Sequence, residues 1–394
     1  MRFVYEIESS SLRGHDRREV LNLYKFELGY EAMKRLIQVM RANAVIVLFL
    51  SIFIGQTWGA ILYNVTDLGT LGGRESSAYS INNRGEVVGF SYRGTPGPYH
   101  AFLYSNGTMH DLGTLGSGYS AGQAINNHGQ VVGWADNGVI LRRAFHYVGS
   151  GPMQDLGIPT GIESWAYGIN DAGQIAGHTR TGGVSRAFLY NSGSFQDLGT
   201  LGGAESQSWG INSHAQVVGW ATNSAGLPRA FLYSGTGPMQ DLGTLGGTTS
   251  GARDINDLGQ VVGSSAISDG TFHAFLWSGS GPMQDLGAGF ATAINNRGQI
   301  VANSSVMGSN HAFVYLGDGL MQDLNGLIDP ASGWTLSNAF DINDLGQIVG
   351  EGISPSGETR AFLLTPVPEQ SSFVSFATGS ICLAGWSWRR RRKC

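Results

Sequence analysis

Between residues 60 and 366 the chain contains no lysine and no cysteine, and only 13% of all its residues are charged. Both cysteines, Cys382 and Cys394, lie near the C-terminus. A disulfide framework is thereby excluded for the body of the chain. The lysine-free stretch holds 22 acidic residues against 11 arginines, a net charge of −11. Phosphate binding needs a positive face on the folded domain, so nucleic acid is excluded as a partner. No Gly-x-Ser-x-Gly elbow, phosphate loop or dinucleotide fingerprint stands in a strand-to-helix setting. The histidines are scattered without zinc spacing. A calcium loop needs six to eight oxygens, and each recurring Asn-Asp-x-Gly turn offers one or two. We therefore expect no metal or other cofactor, and no catalytic residue.

What the chain has in abundance is glycine, 60 in 394 residues, with 42% apolar residues. That combination fits an all-β protein with many tight turns. Three words recur along it, seven times each. Asp-Leu-Gly begins at Asp67, Asp111, Asp155, Asp197, Asp241 and Asp285, with a divergent Asp-Leu-Asn at Asp323, in steps of 44, 44, 42, 44, 44 and 38. An Ile-Asn pair has its asparagine at Asn82, Asn126, Asn170, Asn212, Asn256, Asn295 and Asn343. His-Ala-Phe or Arg-Ala-Phe starts at His100, Arg143, Arg186, Arg229, His273, His311 and Arg360.

Each unit holds four short candidate strands separated by Gly, Asn, Ser and Pro clusters. In the fourth these are Gln207 to Ile211, Gln216 to Trp220, Arg229 to Tyr233 and Met239 to Leu242. Four strands per unit match a propeller blade, whereas a β-helix coil would be about half as long. The phase of the ends adds to this. Residues Leu62 to Leu68 form a fourth strand without its first three, and Arg360 to Leu364 a third strand without its fourth. The reading is a seven-bladed β-propeller over 60–366, built of four-stranded blades and closed by the N-terminal strand pairing into the last blade. The small column Ala78, Gly122, Ala166, Ser208, Ala252, Ala291 and Ala339 is expected near the axis, and the column Ile81, Ile125, Ile169, Ile211, Ile255, Ile294 and Ile342 between blades. Arg229 is expected opposite Asp241, as a cross-strand pair repeated in the other units.

The flanks are basic. From Met33 a basic stretch precedes an apolar run from Ala44 to Ile54 and a small-residue exit at Gly59 and Ala60, the pattern of a secretory signal peptide over 33–59. Residues 1–32 resemble neither a signal nor a domain, so translation is expected to start at Met33. At the other end, residues 367–394 carry Pro368 and Glu369, then a largely apolar stretch from Ser371 to Trp388, then Arg389, Arg390, Arg391 and Arg392. About 18 residues at ~1.5 Å each are just enough to cross a bilayer core, and the arginines would hold that end in the cytoplasm.

This tail resembles the PEP-CTERM sorting signal of Gram-negative bacteria, although a second proline is missing after Glu369. The resemblance implies an exosortase as processing partner, transient anchoring in the inner membrane, and delivery to the cell surface or extracellular matrix. The three words together resemble the HAF-repeat family of extracellular proteins over roughly Tyr63 to Leu364, including a longer insert at Leu327 to Leu336. That family implies export but supplies no activity, substrate or catalytic residue.

A function carried by a ring should break its symmetry. One column reads Ser80, Ala124, Gly168, Gly210, Asp254, Ala293 and Asp341, placing two carboxylates two blades apart near the axis. Across a channel they could bind a cation or serve as acid and base on a glycan, or simply accept hydrogen bonds, with Arg253 as a partner for Asp254. Trp134 and Trp220 follow the Val-Val-Gly run, while Tyr79, Tyr167, Trp209 and Phe340 share another column. Exposed, these rings could stack on sugars; buried, they are core. The expected function is a non-catalytic surface or matrix protein binding exopolysaccharide or a surface partner. A glycan hydrolase or lyase using Asp254 and Asp341, and a purely structural spacer, are the alternatives.

Overall fold

The structure is a computed structural model that describes residues 62–367, apart from 95, 139–141, 159–162, 307 and 318. The expected signal segment, the upstream residues and the sorting tail all lie outside the described residues. Among the described residues, twenty-eight strands form seven four-stranded antiparallel sheets, a seven-bladed β-propeller. Blades 1 to 6 span residues 76–113, 120–155, 163–197, 202–241, 250–288 and 290–323. Blade 7 takes Thr335–Ile342, Ile348–Ile353 and Thr359–Pro366 from the end of the chain and Tyr63–Asp67 from its start. Tyr63 pairs with Pro366 and Asp67 with Phe362. The ring therefore closes as the phase of the repeat predicts. Among the described residues no helix is long and apolar enough to cross a membrane.

Each repeated word has a structural reason. The phenylalanines Phe102, Phe145, Phe188, Phe231, Phe275 and Phe362 are fully buried, with partners from two adjacent blades. Phe102, for example, packs with Ala78 and Val87 of blade 1 and Val349 and Ala361 of blade 7. The aspartate of Asp-Leu-Gly accepts a hydrogen bond from the glycine N–H two residues on, as Asp155 does from Gly157 at 2.9 Å. It also pairs with the His or Arg side chain that opens the third word: His100–Asp111 2.9 Å, Arg143–Asp155 3.0 Å, Arg186–Asp197 3.2 Å, Arg229–Asp241 3.9 Å, His273–Asp285 2.9 Å and His311–Asp323 2.7 Å. These pairs are diagonal rather than directly opposite. Asp241 lies across from Phe231, because the last hairpin turns one residue later than the sequence suggests, which moves the pairing by two. In blade 7 Arg360 turns instead to Glu358.

The asparagine of Ile-Asn is buried in every unit. Its Nδ2 donates to the next blade's asparagine carbonyl, from Asn82 to Asn126 at 3.0 Å and onward until Asn343 donates to Asn82 at 2.9 Å. The seven bonds form a closed belt around the axis. A second strap went unread in the sequence. Ser120 Oγ donates to Gly113 O and accepts from Ala101 N at 2.8 Å, tying blade 2 to blade 1, and Ser76, Ser206 and Ser250 do the same at their seams. Glycine closes six of the seven inner turns with positive φ; the seventh puts Ala215 at φ 58, a mildly strained position for a residue with a Cβ.

The expectation for the small column needs correcting. A Cβ built at Gly122 would press on Val88 and Val131, so this column packs between sheets. The crowding at the axis is met two positions later. At Gly168 a Cβ would come within 2.7 Å of the Trp209 carbonyl, and at Gly210 within 2.9 Å of the Asp254 Cα. A register shift in each innermost strand, between Ala78 and Ser80 in blade 1, separates the two columns. The residue inside that shift, Tyr79 in blade 1, becomes the bulge.

Candidate functional site

The innermost strands carry the chain along a central channel, and its two mouths differ in chemistry. At their C-terminal ends the Ile-Asn pairs and the residue after them border a cavity of about 190 Å³. Here Asn83, Asn127, Asp171, Asp257, Asn296 and Asp344 interlock through backbone and side-chain bonds such as Asn127 N to Asp171 Oδ1 at 2.8 Å. The carboxylates are spent on neighbouring amides.

Asp254 lies on the wall of this channel, and both candidate carboxylates act as straps between blades. Asp254 accepts from Ile255 N at 2.8 Å and, across the seam to blade 6, from Ile294 N at 2.9 Å. Asp341 accepts from Ile342 N at 2.8 Å and, across the seam to blade 1, from Ile81 N at 2.9 Å and Ser80 Oγ at 2.8 Å. Arg253 is not a partner of Asp254, since it stacks on Trp209 instead. Enclosure away from bulk water, with Asp341 adding like charge, pushes Asp254 up to about 7. Asp341 is raised for the same first reason, and its hydrogen bonds oppose the rise.

This shift has a defined sign. The folded protein holds the Asp254 proton more tightly than the unfolded chain, whose value is about 3.9. The group costs nothing below pH ~4, and destabilises increasingly as pH rises towards 7. In thermal unfolding from pH 4 to 8, the midpoint of wild type relative to Asp254→Asn is expected to fall up to about pH 7 and then level off. A difference independent of pH would contradict the assignment.

At the other mouth the bulge column comes together: Tyr79, Gln123, Tyr167, Trp209, Arg253, Thr292 and Phe340 line a cavity of about 520 Å³ with Phe290, Asn303, Asn310 and Asn338. The register shift is what aims these side chains inward at the mouth. Arg253 lies over the Trp209 ring at 4.1 Å. Tyr167 stacks on His178, which also stacks on Trp165, and burial pushes His178 down to about 4, so it is neutral at pH 7. Asn303 clamps both backbone groups of Ala339 in blade 7. The side-chain amides of Gln123 and Asn310 make no hydrogen bond among the described residues, and both line the cavity. From the mouth a row of rings continues over blades 1 and 2: Phe340 to Tyr79 5.3 Å, Tyr79 to Phe90 5.6 Å, Phe90 to Tyr99 4.8 Å and Tyr99 to Tyr119 4.7 Å.

Of the candidate tryptophans, Trp134 is buried beneath Arg142 at 4.5 Å, and Trp220 is half-buried beside Gly251. Neither lines the cavity. The aromatic column does, together with Arg253, Gln123 and the blade 6 amides, which sequence reasoning passed over. The available signal was a column that is different in nearly every repeat.

No known family profile matches the chain, and no curated protein does either. Among solved structures it is similar to a puromycin-hydrolyzing peptidase of Mycobacterium tuberculosis, at 13% identity and TM-score 0.51, over 79% of this chain and 56% of that one. TolB from Acinetobacter baumannii is similar at 10% and 0.44, over 75% and 65%, and YCF48 bound to D1 peptide at 11% and 0.49, over 78% and 97%. The chain thus spans less than two thirds of the length of the first two. What is shared is the fold, and no activity transfers at such identities.

Proposed function

We propose that the chain is an exported, non-catalytic propeller of the cell surface or extracellular matrix that binds polysaccharide at its aromatic mouth. The observation that carries this reading is the convergence of Tyr79, Tyr167, Trp209 and Phe340, with unspent amides at Gln123 and Asn310, on one cavity of about 520 Å³. Aromatic faces pack against the C–H faces of sugar rings, and amides supply both donors and acceptors for hydroxyls. Against catalysis stand Asp254 and Asp341, whose oxygens hold backbone N–H groups of adjacent blades. Export and anchoring rest on the leader over 33–59 and the tail over 367–394, with an exosortase as the processing partner.

Trp209→Ala removes one platform at an open mouth while leaving the inter-blade straps intact. In affinity electrophoresis against a polysaccharide panel, it is expected to weaken retention about tenfold or more, since ~1.4 kcal/mol corresponds to a factor of ten. The unfolding midpoint should change little. Equal retention of wild type and variant, or no retention by any polymer, overturns the binding assignment. Finding the full chain in the cytoplasm on cell fractionation overturns the export assignment.

A further inference from the structure

Six arginines of the propeller are tied to carboxylates, as Arg84 is to Glu86, Arg93 to Asp111 and Arg186 to Asp197, while Arg74, Arg180 and Arg297 have neither an ion pair nor a ring contact among the described residues. The two on the aromatic face are held differently. Arg253 rests on Trp209 at 4.1 Å and Arg142 on Trp134 at 4.5 Å, and neither guanidinium makes an ion pair or side-chain hydrogen bond among the described residues. Stacking fixes the plane of a guanidinium and leaves its N–H edge free, the geometry that grips a carboxylate with two parallel bonds. Burial raises the Tyr167 hydroxyl above its ordinary value, and the charges of Arg253 and Arg142 oppose that rise.

Two acids border this face, and Asp136 stands directly across the ladder from Arg142 without forming an ion pair with it. Asp136 accepts from Tyr119 N at 3.0 Å, and Glu351 accepts from Asn338 Nδ2 at 3.0 Å. The body as a whole, with 22 acids against 11 arginines, repels a polyanion away from these two cations. The row of rings from Phe340 to Tyr119 runs between the mouth, where Arg253 lies, and blade 2, where Arg142 lies beside Tyr99 over Trp134.

Building on the polysaccharide reading above, we infer that the ligand is an acidic polysaccharide whose sugar carboxylates are taken by Arg253 at the channel mouth and Arg142 on blade 2, its chain lying along the intervening aromatic rings. An extended chain fits better than a chain end, because the rings lead away from the cavity rather than closing over it.

The test compares polymers that differ only in charge. Polygalacturonate, alginate and hyaluronate are each run against their methyl-esterified forms by affinity electrophoresis with the full chain, alongside Arg253→Gln, Arg142→Gln and Trp209→Ala. At least one acidic polymer is expected to bind tenfold or more tighter than its ester, because charge-assisted hydrogen bonds are about twice as strong as neutral ones. Arg253→Gln should abolish that preference and Arg142→Gln reduce it, with unfolding midpoints unchanged. Equal binding of acid and ester, or an acid preference untouched by both substitutions, overturns the inference. If the esters still bind and Trp209→Ala weakens them, the polysaccharide reading survives without it. If no polymer binds, both fall.

Discussion

A chain lacking residues 62–68 is expected to lose the cooperative unfolding transition of the full protein and to accumulate in inclusion bodies on expression. The segment supplies the outer strand of blade 7, paired over five residues with Thr359–Pro366. It also supplies Tyr63 and Leu68, each 4% exposed. Tyr63 packs with Ile328, Leu336 and Leu364, and Leu68 with Phe102 of blade 1 and Val349 and Ala361 of blade 7. Burying two such side chains is worth about 2–3 kcal/mol each. The lost ladder and the apolar surface left on blade 7 bring the total to the order of 5–10 kcal/mol, comparable with the whole net stability of a domain. A permutant separates closure from the mere loss of seven residues. Because Tyr63 faces Pro366 and Val367 N donates to Leu62 O at 2.8 Å, joining residue 367 to residue 62 by a short turn makes the same pair an ordinary hairpin. That permutant should regain a single sharp transition in circular dichroism melts. Normal melting of the deletion would show that the ring does not depend on this strand, and failure of the permutant would show that restoring this pair does not restore the ring.

Ring closure was legible because it depends on phase, and phase survives in the order of the words: a fourth strand at the start and a third at the end admit few other arrangements. The scaffold words were legible too, since Phe102 or Asp155 meets the same demand in each blade. The mouth was harder to read. Strict alternation assigns Ala78 and Ser80 to one face of the strand and Tyr79 to the other, and a bulge alters that assignment without altering composition. The bulge is what turns Tyr79, Trp209 and Arg253 into neighbours around one cavity. Arg253 next to Asp254 in sequence invites an ion pair, yet Arg253 is itself the bulge residue, and its guanidinium lies over the indole of Trp209 from blade 4. Of the two carboxylates, Asp254 lines the channel. Their partners, backbone N–H groups one blade away, have no signature in any side chain.

Asn126→Ala is expected to lower stability by about 3–5 kcal/mol, far more than an exposed polar residue would. Asn126 is 4% exposed, and its side chain makes four hydrogen bonds. Its Oδ1 accepts from His128 N and Gln130 N, both at 3.0 Å, fixing the turn that follows. Its Nδ2 donates to Gln130 Oε1 at 2.7 Å and to Asn170 O at 3.0 Å, the second of these being a link of the belt around the axis. Alanine leaves the Asn170 carbonyl buried without that donor, and an unsatisfied buried group costs more than an average bond contributes. In a domain of this size the midpoint should drop by about 4–8 °C. Asn126→Asp tells the two roles apart. It keeps the oxygen that serves the turn but turns a second, charged oxygen towards the Asn170 carbonyl, where a donor is needed. If the belt holds neighbouring blades together, Asp should be at least as damaging as Ala near pH 7 and should recover partly as the pH falls and the carboxyl becomes a donor. A variant that melts like wild type at pH 7 would mean that the asparagine serves only its own turn, and that the blades are held by their apolar seams and the serine straps.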